Sequence, residues 1–207
     1  DKYKTDNDKL YRIEELSSME QNDEVMRETV ALWTAINMNE KFLLQREQDA
    51  INTAVDFSTD FQYWFINFAW NTFNDSQKLE MANNLLKKQA SILGDDRVYV
   101  PITFETLDKY NGGNYNFINK NITLNDNNKN DFNEIMSVII HEGGGHSFQD
   151  NVLVNNNDRI MKDSFYNSSP TGYKFGNNEL DYSIYRLDPA ERDAWKFQYG
   201  VMKGIGE

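Results

Sequence analysis

His141-Glu142-Gly143-Gly144-Gly145-His146 contains both histidines of the 207-residue chain. The stretch is one residue longer than the zinc-protease signature H-E-x-x-H. In that signature the histidines stand four apart on a helix, a rotation of about 400°, so the rings share a face and can bind one Zn²⁺. The glutamate beside the first histidine then reaches the metal-bound water as general base. Here His141 and His146 are five apart, about 500° of regular helix, which leaves the rings roughly 140° from each other. A wide turn with i→i+5 hydrogen bonds restores the shared face, and such turns are frequent at functional sites. The spacing therefore predicts a π-bulged helix that carries a metal pair.

The glycines at 143, 144 and 145 oppose an ordinary helix, since each costs about 1 kcal/mol against alanine in a helix interior. Glycine permits unusual backbone angles and lets a substrate approach closely. Three other readings of the stretch stay open. The helix ends at Glu142 and the glycines form a hinge. Alternatively, residues 135–140 are a buried strand ahead of a phosphate-cradling loop, although Ile140 and His146 occupy the positions of that loop's first glycine and its lysine. Lastly, the site holds zinc without catalysis.

The order His-Glu-x-x-Gly-His over residues 141–146 resembles the lengthened motif of the dipeptidyl peptidase III family, a branch of the gluzincins. The resemblance covers this motif and one downstream segment of a chain far shorter than those enzymes. It implies a zincin-like fold, Zn²⁺ as cofactor and a glutamate on a later helix as third ligand. Pro189-Ala190-Glu191-Arg192-Asp193-Ala194 matches the family's Glu-x-x-Ala pattern, in which the alanine leaves room for close helix packing. A catalytic zinc takes three protein ligands and keeps one position open, and the chain has no third histidine. Glu191 is the first choice for the remaining carboxylate. Its ordinary reading is a first-turn acid that complements the helix dipole. Asp181 is the second choice, in an arrangement similar to the aspzincins. Asp188 reads as a helix cap, and Asp193 as a group that orients a histidine. Peptide hydrolysis also needs a donor to the tetrahedral oxyanion. Tyr185 is the candidate, with Tyr182 and Arg186 beside it. Gln149, three residues past His146, falls on the metal-facing side or is an ordinary hydrogen-bonding helix residue.

Composition narrows the partners. A 24.2 kDa chain with 39% hydrophobic and 14% aromatic residues can bury a core despite its mean hydropathy of −0.74. Net charge is −12, which disfavours nucleic acid and anionic membrane surfaces. Neutral or basic peptides or proteins are the better substrates. The absence of cysteine excludes disulfides and thiolate metal sites. No apolar run reaches the roughly 18 residues of a membrane span. The chain opens at Asp1, with neither an initiating methionine nor a signal peptide, as a mature form or a piece of something larger would. A secreted or extracellular bacterial location is expected, with the cytoplasm still open.

Along the chain, Leu10, Ile13, Leu16, Val25, Val30, Trp33 and Ile36 recur at helical spacing within a mostly helical 8–55. Residues 57–73 are dense in aromatics and read as a core helix, or else as an exposed partner surface. Asp75 or Ser76 is expected to cap a helix over 77–93 that Gly94 stops. Residues 98–104 read as a strand. Residues 114–118 and 121–124 form a hairpin around Asn119-Lys120. Asp131 and Glu134 make a capping box for the helix that enters the histidines. Residues 151–178 read as a polar loop. Asp188 then caps a last helix with Pro189 at its first position, running over about 190–203.

The expected fold is α+β and zincin-like, mostly helical, with a small mixed or antiparallel sheet and an active-site helix. An N-terminal helical part (1–94) precedes a catalytic part (95–207), the two expected to form one compact domain. The expected function is zinc-dependent peptide hydrolysis. His141, His146 and Glu191 hold the metal, Glu142 is the base and Tyr185 assists. A non-catalytic zincin-like binding module is the alternative, as is a peptidase used as a secreted bacterial effector or toxin domain.

Overall fold

A computed structural model describes residues 3–20, 22–36, 40–95, 100–155, 186 and 188–206. The chain divides into two compact units, Asp1–Leu43 with Val152–Asp193, and Leu44–Asn151 with Ala194–Glu207. Among the described residues it is an α+β protein, mostly helical, with a small mixed sheet.

In the first unit, α1 (Asp6–Ser18) starts from a capping box in which Thr5 and Asp8 satisfy each other's backbone N–H groups. Asn22 accepts from the Glu24 and Val25 N–H groups and so caps α2 (Asp23–Ala35). The apolar stripe Leu10, Ile13 and Leu16 packs with Val25, Leu32, Trp33 and Ile36 into a core of its own. On the outer side, Arg12 donates to both carboxylate oxygens of Glu28, at 2.9 and 3.0 Å.

The second unit carries the larger core. Most of α3 (Glu40–Thr59) belongs to it, with α4 (Phe61–Ala69) and α5 (Asp75–Ile92) after it. The aromatic run expected as a single core helix is split. Phe57 belongs to α3, and Asp60 caps α4 by accepting from the Gln62 N–H. Phe57, Tyr63 and Trp70 are buried, whereas Phe61 and Phe68 are 82% and 91% exposed. The run is therefore partly core and partly exposed. The cap of α5 is Asn74 rather than Asp75 or Ser76. Asn74 and Gln77 form the reciprocal capping box, and Gly94 (φ +64°) follows the C-terminus as the expected stop.

Three strands make the sheet: β1 (Ile102–Glu105), β2 (Gly113–Asn116) and β3 (Asn121–Asn125). Their order is β1-β3-β2, with β1 parallel and β2 antiparallel to β3, so Ile102 and Tyr115 both register with Ile122. Of the strand expected over 98–104, residues 98 and 99 lie outside the described residues. The β2–β3 hairpin turns where the asparagine-lysine pair predicts. Asn116 Oδ1 accepts from the N–H groups of Ile118 and Asn119, and Lys120 takes φ 53°.

Asp131 caps α6 (Phe132–Val138) by accepting from the Glu134 N–H. Helix α6 runs into a π-helical segment, Ile139–Ser147, and on into α7 (Phe148–Asn155). Residues 151–155 are thus helical rather than loop, and 156–185 lie outside the described residues. The last helix, α8 (Pro189–Ile205), begins where expected, with Asp188 Oδ1 accepting from the Ala190 N–H at 2.8 Å. Within the second unit, Phe197, Val201 and Ile205 of α8 join Phe57, Leu85, Leu86, Ile122, Leu124, Ile135 and Ile139 in one core. Glycine brings α8 close to α3, since a Cβ on Gly204 would lie 2.5 Å from Ala54 Cβ.

Candidate metal centre

The motif helix is wide over its whole functional length. Residues 139–147 keep the i→i+5 pattern, and every one of them is buried. The geometry required by the five-residue spacing is present, and it extends beyond a single bulge. His141 and His146 come onto one side, with ring centroids 5.0 Å apart and planes at 78°. Their nitrogens and a carboxylate oxygen of Glu142 all lie within 4.8 Å of one another. The three residues are 8%, 7% and 5% exposed in chain order. Two imidazoles and a carboxylate, gathered out of water, are a donor set suited to zinc and other divalent transition metals.

Neighbouring helices explain the glycines. None of Gly143, Gly144 and Gly145 has positive φ, so conformational freedom is not the reason for them. Space is. A Cβ on Gly143 would collide with Leu86 and stand 2.8 Å from Gln89 Oε1, both on α5. On Gly144 it would strike the Phe197 ring and lie 2.5 Å from Gln89 Nε2. On Gly145 it would lie 2.5 Å from Ala194 Cβ. Gly145 and Ala194 thus let the two helices approach closely. Arg46 of α3 adds a clamp. Its Nη2 donates to Gly144 O at 2.8 Å, and its guanidinium carbon lies 4.6 Å and 4.3 Å from the Phe148 and Phe197 ring centroids. A carbonyl at the junction between π and α geometry thereby receives a charged donor.

Each histidine is supported at Nδ1. His141 Nδ1 pairs with Gln198 Oε1 at 2.9 Å, and His146 Nδ1 with Gln149 Oε1 at 3.1 Å. An amide oxygen only accepts, so Nδ1–H donates and Nε2 is the nitrogen that would coordinate a metal in each ring. Trp195 packs on His141 at 4.7 Å between centroids, and Phe117 meets His146 edge-on at 6.2 Å. Beneath this side, Asp150 accepts from Tyr115 Oη at 2.6 Å and from Lys120 Nζ at 2.5 Å, which ties the hairpin to α7.

His141 and His146, expected to hold the metal, and Glu142, expected as the base, are brought together. Gln149 hydrogen-bonds within its own helix, to His146. Glu191 is buried on the first turn of α8, in the first unit, where Asp188 Oδ1 accepts from its N–H at 3.4 Å. Asp188 is the expected cap. Asp193 is buried in the same unit, and Arg186 is exposed. Burial lowers the pKa of Arg192 below the usual guanidinium value, and the charges of Asp188 and Asp193 only partly oppose it. Tyr182, Tyr185 and Asp181 lie outside the described residues. Sequence reading missed Gln198 and Arg46. Gln198 could have been found, because it repeats the Glu191-Ala194 stripe at i+7 along the last helix.

Compared with known protein families, curated proteins and solved structures, the chain matches none.

Proposed function

We propose that this chain is a zinc-dependent peptidase with a zincin-like catalytic core, similar to the gluzincins. One observation carries the reading: a nine-residue π-helical segment brings both histidines of the chain and Glu142 into one buried group. So long a π-helix is rare and needs a strong local reason, and metal coordination supplies one.

His141 and His146 hold the metal through Nε2. Glu191 is the third ligand. The Glu-x-x-Ala pattern of Glu191 and Ala194 in the sequence supports that choice. Bound there, zinc supplies a Lewis acid that brings a water pKa to about 7 and polarises a carbonyl oxygen. Glu142 takes a proton from the attacking water on a carboxylate oxygen and returns it to the leaving amine nitrogen. Tyr185 donates to the oxyanion. A peptide substrate binds in extended form, adding a strand to an outer strand of the sheet. β2 is the better platform, because Phe117, one residue beyond it, contacts His146.

The test is cleavage of unfolded casein by the native chain, with and without a chelator, beside Glu142→Gln. The variant is expected to keep its zinc and lose about 10²- to 10⁴-fold in rate. Normal cleavage by the variant would contradict the role of Glu142. Zinc binding without cleavage by the native chain would favour the binding-module reading.

A further inference from the structure

We propose that Gln198 is a positioning residue for the metal: it fixes the tautomer and ring orientation of His141, and Ser137 in turn sets the Gln198 amide. The inference rests on the zinc-site reading above. Ser137 and His141 are i and i+4, one above the other on the motif helix. The Gln198 amide spans both, with Oε1 2.9 Å from His141 Nδ1 and Nε2 donating to Ser137 Oγ. Anchoring Nε2 leaves Oε1 turned toward the ring. A neutral imidazole that binds metal through Nε2 must carry its proton on Nδ1, and Oε1 is the acceptor for that proton.

Gln198 fixes rotation of the ring within its plane, and the Trp195 contact at 4.7 Å restricts its tilt. Gln149 does the same for His146 at 3.1 Å, from three residues along its own helix. The two supports differ in origin. Gln149 moves with the motif helix, whereas Gln198 comes from α8. His141 therefore keeps its geometry only while α8 is docked, and metal affinity reports that docking. The partner at each Nδ1 is a neutral amide. It holds the ring without bringing the negative charge that a carboxylate partner would add to ligand basicity.

Three substitutions in the full chain separate this role from packing. Gln198→Met keeps length and bulk but has no acceptor. Gln198→Glu keeps an acceptor and adds charge. Ser137→Ala leaves Gln198 in place and releases its far end. Zinc affinity is read by competition with a fluorescent zinc chelator, and folding by thermal melting without metal. Gln198→Met is expected to lose about 10- to 100-fold in affinity, the range for losing such a partner, with little change in melting. Gln198→Glu is expected to bind as tightly as the native chain or more tightly, and Ser137→Ala to fall between. In the metal-free protein, nitrogen NMR is expected to find His141 in the Nδ1–H tautomer, and a mixture in Gln198→Met. Equal affinity and an unchanged tautomer in Gln198→Met would overturn the proposal and leave the zinc site standing. If the native chain binds no zinc, both the site and this role fall.

Discussion

Helix α5 and the π-helical segment pack against each other in one core, yet they are specified in different ways. α5 follows local rules. It has a reciprocal capping box at Asn74 and Gln77, a majority of good helix formers and a left-handed glycine just past its end. The segment over 139–147 violates them, with three consecutive glycines and a wide hydrogen-bond ladder. What holds it is tertiary. Leu86, Phe197 and Ala194 fill the space that side chains would take, and Arg46 donates to one of its carbonyls. A helix made by its own sequence can stand on neighbours of many kinds, whereas a helix made by its neighbours cannot. Local rules fail at the residues that bring His141, Glu142 and His146 together, as they are expected to fail at a functional site.

The sharpest way to break the comparison is Gly144→Ala. In an ordinary helix this change stabilises by about 1 kcal/mol. Here the new methyl strikes the Phe197 ring, and we expect a loss of about 1–3 kcal/mol. Urea unfolding checks the sign, and a gain would mean that the segment obeys local propensity after all.

Gln89 sharpens the contrast from the α5 side. It is 0% exposed beneath Gly143 and Gly144, and neither end of its amide has a hydrogen-bond partner among the described residues. A buried amide without partners costs about 1–3 kcal/mol. Gln89→Met removes that penalty at similar volume and should raise stability by about 1 kcal/mol or more. A fall in the urea midpoint would show that the wide turn needs the amide.

The smallest effect belongs to the conventional helix. Asn74→Ala deletes the α5 cap and should cost about 1 kcal/mol. Zinc affinity should stay within twofold of the native value, because the cap lies far along α5 from Gln89. Loss of zinc binding in this variant would mean that the metal centre depends on the fraying of α5.

How much was legible follows the same division. The caps at Asp131 and Asp188, the Asn119-Lys120 turn and the stripe Leu10-Ile13-Leu16 are local signals, and each was visible in the sequence. The wide turn was legible for a rarer reason: two histidines five apart can share a metal only if the helix is wide. The purpose of the glycines was not. Their partners Leu86 and Phe197 lie some 50 residues away in either direction, and no periodicity links them. The parallel pairing of β1 with β3 was hidden for the same reason, since register between separated strands is set by packing rather than by a turn. Gln198 was legible only as a further position on the Glu191-Ala194 stripe, because a single glutamine on an amphipathic helix looks like any surface residue until the facing helix is known. The aromatic run was only partly legible because density alone does not tell which side of α4 faces the core; the spacing of Tyr63, Ile66 and Ala69 does.

Metal content of the purified chain, measured by mass spectrometry beside His146→Ala, tests the central claim most directly. About one zinc per chain, lost in the variant, is the result expected of a site whose ligands a π-helix gathers. A native chain that holds no zinc after incubation with the metal and dialysis would contradict it, and the wide helix would then need another explanation.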